Sequence, residues 1–187
     1  MRQFAHGAVE LVLGNIVDQQ TEAIVNAANT KLTGGGGVDG AIHRAAGSEL
    51  KELCLQLPAD EKGRRCQTGH VQTTTAGKLS AKYVIHAVGP YYNEQYAEKA
   101  RDQLRQVHVL ALQAALSFNC RSIAIPAIST GAYRFPITDA AKIAIDTVGR
   151  FLNSHTGIDL VRFVLYKQGQ FDTFQSALDA WQLQTGR

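Results

Sequence analysis

Cysteine is scarce in this chain: Cys54, Cys66 and Cys120 are an odd number, and no two of them form a C-x-x-C pair. Their spacing argues against a disulfide framework and against a four-ligand zinc site, and leaves three free thiols suited to burial. Long apolar runs are also missing. No stretch approaches the ~18 residues needed to cross a bilayer, and residues 1–7 lack the basic-then-apolar order of a secretory signal. The expectation is a cytoplasmic protein with no membrane partner. There is little excess charge of one sign: 19 Lys and Arg against 16 Asp and Glu give a formal net charge of +3. The cations are scattered, so long nucleic acid is not demanded electrostatically, whereas a small anionic ligand is easily accommodated. Repeats and low-complexity segments are absent as well, and the polar stretch 59–68 reads as one exposed loop. What remains, 187 residues that are 45% hydrophobic and 19% charged, suits one compact domain over 1–187.

Short β-branched runs ended by Gly, Pro or polar residues predict six strands, at 9–14, 23–27, 70–75, 82–88, 122–126 and 160–166. Helical periodicity lies between them. Tyr96, Ala100, Leu104, Val107, Ala111, Ala114 and Phe118 form one apolar stripe. A second helix opens at Pro136 and Asp139 and continues through Ala141, Ala144, Val148 and Leu152. A third is marked by Phe171, Phe174, Leu178 and Trp181, and another opens near Val38 and runs through Ile42 and Ala46 to Gly47. The alternation of strand and helix predicts an α/β fold with a largely parallel sheet covered on both faces.

In such sheets ligands settle beyond the carboxyl ends of the strands. The unusual sequence lies there. After the second strand come Asn26 and Asn29, then Gly34, Gly35, Gly36 and Gly37 leading through Val38, Asp39 and Gly40 into a helix. Successive glycines let the backbone approach a ligand, and a helix N-terminus favours negative charge, so a phosphate is the natural guest. The plainer reading is a flexible turn. After the fifth strand, Ser129, Thr130, Gly131, Ala132 and Tyr133 offer a second set of donors, and two facing phosphate loops suggest a diphosphate. Gly89-Pro90 is a turn on the same rim. Gly35, Gly37 and Gly40 formally satisfy G-x-G-x-x-G, but the preceding strand ends too early and the acids some 20 residues on, Asp60 and Glu61, sit in a polar loop. This disfavours a dinucleotide-dependent dehydrogenase. The glycines are not followed by Lys-[Ser/Thr], which excludes a P-loop nucleotidase.

Together Gly14-Asn15-Ile16, the run from Ala23 to Asn29, Gly34 to Gly40, Ile85-His86-Ala87-Val88-Gly89-Pro90 and Ile128 to Tyr133 closely resemble the macrodomain family. The nearest branch looks like the one that removes ADP-ribose from acidic side chains or deacetylates O-acetyl-ADP-ribose. The resemblance implies a three-layer α/β/α sandwich around a mixed, largely parallel six-stranded sheet, with a cleft for ADP-ribose and neither cofactor nor metal. It implies catalytic roles for Asn29 and Asp39 at the distal ribose. Gly36, Gly37, Val38, Ser129, Thr130, Gly131, Ala132 and Tyr133 would enclose the diphosphate, Asn15 and Ile16 would serve the adenine, and Phe171 would stack on it. Mono-ADP-ribosylated proteins are the implied macromolecular partners. Three positions depart from the family pattern. Asn15 stands where an aspartate commonly accepts from the adenine amino group, Arg134 replaces a glycine, and His70 stands where this branch often has Glu.

In this reading Asp39 orients or deprotonates a water that attacks an anomeric carbon or an acetyl carbonyl. The plainer role is a first-turn acid complementing the helix dipole. Asn26, nearer the strand than Asn29, reads as structural, as do His43 within a helix and His86 within an apolar strand; Tyr91 and Tyr92 read as rim or packing residues. Two alternatives use the same fold: a non-catalytic ADP-ribose reader, and a scaffold for partners or RNA, the latter poorly supported without a dense basic face.

Overall fold

The computed structural model describes residues 1–185. In chain order the strands are β1 (Arg2–Gln3), β2 (Ala8–Leu13), β3 (Ala23–Ala27), β4 (Val71–Thr75), β5 (Tyr83–Ala87), β6 (Ser122–Pro126) and β7 (Leu160–Leu165). The helices are α1 (Gly37–Ala46), α2 (Ser48–Gln56), α3 (Ala97–Ser117), α4 (Ile137–Ser154) and α5 (Gln168–Thr185). The strands form one sheet in the order β1-β2-β7-β6-β3-β5-β4, antiparallel only at its two edges and parallel throughout the interior. The sheet therefore has seven strands where the sequence predicts six. The extra strand is a two-residue edge, Arg2–Gln3, too short to show an alternating pattern.

The period of two along each strand sorts the core into two layers. Val25 on β3, Ile123 and Ile125 on β6, and Val161, Phe163 and Leu165 on β7 pack under α3, α4 and α5. Their neighbours Ile24, Val84, Ala124 and Val164 pack with Ile42, Ala46 and Leu50 of α1 and α2. At the same face of β3 and β5, the next inward positions are not apolar: they are Asn26 and His86, both fully buried. Cys54, Cys66 and Cys120 are free and buried. Among the described residues no helix is long and apolar enough to cross a membrane.

Candidate functional site

Five parallel strands end on the same side of the sheet, and their C-terminal connections enclose a cleft of about 800 Å³. β2 contributes Gly14, Asn15 and Ile16, and β3 contributes Asn29 and the glycine run. β5 contributes Gly89, β6 the loop from Ala127 to Tyr133, and β7 Val164, Tyr166 and Lys167. Every residue singled out in the sequence for catalysis or binding lines this cleft except Phe171. Phe171 is partly buried against the main core, and Tyr166, Lys167 and Gln170 reach the cleft in its place. The physical reason is helical phase: Phe171 belongs to the buried stripe it shares with Phe174 and Leu178.

The glycine run leads into α1, whose N-cap Gly36 supplies no side-chain acceptor. The amides of the first turn are thus left for solvent or a ligand, at the end of the helix that carries partial positive charge. Gly40 is needed for closeness: a Cβ there would overlap the Gly35 carbonyl oxygen. Asn29 shapes this loop with both ends of its amide, donating from Nδ2 to Gly34 O at 3.0 Å and accepting at Oδ1 from Lys31 N at 3.0 Å.

Asp39 sits in the first turn of α1 and lines the cleft, although it is only 6% exposed. Its Oδ1 accepts from Asn26 Nδ2 at 2.7 Å. His43, one turn on, brings Nε2 to 3.4 Å from the same oxygen but off hydrogen-bond geometry, and that buried nitrogen has no hydrogen-bond partner among the described residues. Among the described residues Asp39 is the only acid lining the cleft, and Arg44 and Lys167 are its cations.

Opposite α1, Ser129 adopts a left-handed backbone (φ 67°) and is 7% exposed, yet its buried Oγ has no hydrogen-bond partner among the described residues. Gly89 lies against it so closely that a methyl group there would overlap Ser129 Oγ and Ile128 Cγ2. Thr130 is tied by its hydroxyl to Ala127 O at 2.8 Å, and Gln170 Nε2 on α5 reaches the same hydroxyl at 3.4 Å. The Tyr133 backbone carbonyl accepts from Tyr92 N at 2.8 Å, and its ring stands 6.0 Å from that of Tyr91. Burial, aided by the Asp39 charge, raises the Tyr133 phenol above its ordinary pKa, so it stays protonated.

The three departures fall differently. Asn15 caps a short 3-10 turn, Ile16–Asp18, its Oδ1 accepting from Val17 N at 3.4 Å. Arg134 is exposed, does not line the cleft and has φ of 57°, a conformation glycine adopts without strain. His70 is exposed and does not line the cleft, with Nδ1 at 3.3 Å from Thr68 O and Nε2 at 3.4 Å from Gln106 Nε2.

Sequence reasoning missed Arg44, Tyr166, Lys167 and Gln170 as lining residues, and Asn26 as a contact of Asp39. For Tyr166 and Lys167 the signal was available: they directly follow the C-terminal end of β7, the position from which the other parallel strands send their lining residues.

The macro domain family model matches residues 25–144. A macro domain-containing protein of Caldanaerobacter subterraneus subsp. tengcongensis is 44% identical over 171 residues, covering 91% of this chain and 95% of that one. A protein of Enterobacter sp. named O-acetyl-ADP-ribose deacetylase is 44% identical over 170 residues, covering 91% of this chain and 93% of its own. The solved Oceanobacillus iheyensis macrodomain with ADP superposes with a TM-score of 0.92 at 36% identity, covering 98% of this chain and 96% of that one. Fold, cleft and these relatives agree: the chain belongs to the macro domain family.

Proposed function

We propose that the cleft takes ADP-ribose derivatives and that the chain hydrolyses them, removing mono-ADP-ribose from acidic protein side chains, deacetylating O-acetyl-ADP-ribose, or both. The observation that carries this reading is the buried Asp39 carboxylate in the wall of a cleft whose other polar groups suit an anion. The uncapped first turn of α1 and the unpartnered Ser129 hydroxyl supply donors for a diphosphate, and Arg44 and Lys167 supply charge. At about 800 Å³ the cleft is within the range of small-molecule sites. The Enterobacter relative's name and the ADP in the Oceanobacillus structure support the same ligand class.

Asp39 then orients a water and accepts its proton as the oxygen bonds to the ester carbonyl or to the anomeric carbon. The C–O bond to the leaving group breaks, giving ADP-ribose, a free carboxylate and one released proton. Asn29 acts on this reading by holding the glycine loop in register with the distal sugar.

The test presents purified protein with acidic-residue-linked ADP-ribosyl protein, serine-linked ADP-ribosyl protein and O-acetyl-ADP-ribose in parallel, alongside Asp39→Ala. The wild type is expected to turn over an ester substrate, and Asp39→Ala to bind ADP-ribose while turnover falls by about 10²–10⁴-fold. Unchanged turnover in the variant removes the catalytic role. A non-catalytic reader is favoured by one observation, the use of both ends of the Asn29 amide within its own loop. Tight ADP-ribose binding with no turnover of any of the three substrates would establish it.

A further inference from the structure

Behind Asp39 lies a buried polar cluster that strand register assembles. Asn26 on β3 and His86 on β5 are paired directly across two parallel strands, and Thr74 on β4 lies on the same face. α1 brings Asp39 and His43 onto that face, and α2 brings Cys54. The surroundings are apolar, formed by Ile24, Ile42, Leu50 and Val84. In such a place every hydrogen must be accounted for, because an unmatched polar atom is expensive.

The accounting has one solution. Asn26 Nδ2 is 2.7 Å from Asp39 Oδ1 and 3.2 Å from His86 Nδ1, so its two hydrogens go to these two acceptors. His86 Nδ1 must then be bare, and the neutral ring carries its proton on Nε2, facing Thr74 Oγ1 at 3.0 Å and Cys54 Sγ at 3.5 Å. Turning the amide over would set its oxygen against the Asp39 carboxylate. This orientation leaves Asn26 Oδ1 buried with no hydrogen-bond partner among the described residues, while both amide hydrogens are engaged.

We infer that His86 is a positioning residue which, through the Asn26 amide, aims a hydrogen bond at Asp39 and fixes the carboxylate toward the cleft. The inference rests on the hydrolytic role proposed for Asp39. A protonated Nδ1 would collide with the Asn26 hydrogens and favour the reversed amide, so the device needs neutral His86. Burial holds the ring down to about pKa 4, helped by the neighbouring His43 and opposed by Asp39. The remaining neighbours are uncharged: Asn26, Thr74, and Cys54, whose thiol burial pushes up to about 11. His43, Cys54 and His86 do hold three metal-binding atoms within 4.8 Å of one another, but both ring nitrogens of His86 are occupied by the network.

Two variants and one spectrum test this. His86→Leu fills the space without an acceptor, and His86→Asn restores one near the Nδ1 position. With the ester substrate established for the wild type, His86→Leu is expected to lower kcat by about tenfold to a hundredfold, with KM and ADP-ribose affinity moved by no more than about threefold. His86→Asn should recover most of that loss. Long-range ¹H–¹⁵N NMR of the wild-type protein at neutral pH should show His86 protonated on Nε2 and bare on Nδ1. The inference is overturned by a folded His86→Leu protein with unchanged kcat, by equal losses in the two variants, or by the opposite tautomer. Stoichiometric Zn²⁺ uptake that removes the Nε2–H signal also overturns it, since the metal would occupy that nitrogen. Asp39→Ala separates the two readings: if it abolishes turnover while His86→Leu does not, only the positioning role fails. If His86→Leu does not fold, the tautomer in the wild-type protein still decides.

Discussion

The Ser129 hydroxyl is buried without a hydrogen-bond partner among the described residues, and this makes its substitution informative. Removing an unsatisfied hydroxyl relieves a desolvation penalty, whereas removing a donor to a charged phosphate loses about 1.5–3 kcal/mol. Ser129→Ala is therefore expected to leave the ligand-free melting temperature unchanged or raised and to weaken ADP-ribose binding by about tenfold or more, read by calorimetry. A variant that loses stability and keeps its affinity would place the hydroxyl in the fold instead. Asn15 makes the opposite case. It has one acceptor atom, already committed to Val17 N, whereas an aspartate could cap the turn with one oxygen and offer the second to a base amino group. With charge-assisted bonds roughly twice as strong as neutral ones, Asn15→Asp is expected to tighten ADP-ribose binding by about fivefold. The residues that carried the most sequence signal, Asp39, Ser129 and Tyr133, line one cleft because glycine and small-residue loops are visible in sequence. Phe171 misled because an aromatic on an amphipathic helix serves the core first, and Asn26 was legible only as a strand residue because its partner Asp39 depends on how α1 sits.

At the scale of elements, what was legible is what was periodic. α3, α4 and α5 each carry a long apolar stripe, and the interior strands alternate or run apolar, so their existence followed from the chain itself. α2 did not. Over Ser48–Gln56 only Leu50 and Cys54 are buried, too few to announce a stripe, and α2 is separated from α1 by Gly47 alone. The ends of the α3 stripe also overreach, since Tyr96 and Phe118 lie outside the helix and are exposed. β1 escaped because what holds it is tertiary. Ala5 N donates to Asn153 Oδ1, His6 N donates to Leu152 O, and the Phe4 ring meets the Trp181 ring at 4.9 Å over α4. Gly149 makes that meeting possible: a Cβ there would stand 2.8 Å from both Phe4 Cε1 and Trp181 Cζ2. Two effects oppose each other in Gly149→Ala, a helix-propensity gain of about 1 kcal/mol and an overpacking penalty of about 1–3 kcal/mol. Because rings on two different elements would both have to move, packing is expected to win. Thermal denaturation should show a lower melting temperature with ADP-ribose affinity unchanged, as none of these residues lines the cleft. A stabilised variant would mean that the two rings yield freely.

For the whole molecule the same buried histidines that order the interior set its response to acid. His86 is buried in the sheet face under α1, and His108 in α3, where Nδ1 donates to Leu104 O at 2.7 Å and the ring lies near Phe163. Burial holds both at about 4, well below the ordinary histidine value of 6.5. Between those two pH values the unfolded chain binds protons that the folded chain refuses. The derivative of unfolding free energy with pH is then positive, so stability is full above about pH 6.5 and is lost as the pH falls toward 4. With two such groups the limiting slope is about 2–3 kcal/mol per pH unit, steepest near the middle of the window. Hydrogen-bonded carboxylates such as Glu22 and Asp60, held below their ordinary range by Lys82 and by Arg64 respectively, add to the loss only at more acid pH. Urea unfolding at pH 7, 6, 5 and 4.5 is the measurement. His108→Gln should reduce the slope by about half, since a neutral amide in place of the imidazole takes up no proton on unfolding. A slope that survives that substitution intact would show that His108 is protonated in the folded protein, and that water reaches the α3 side of the core.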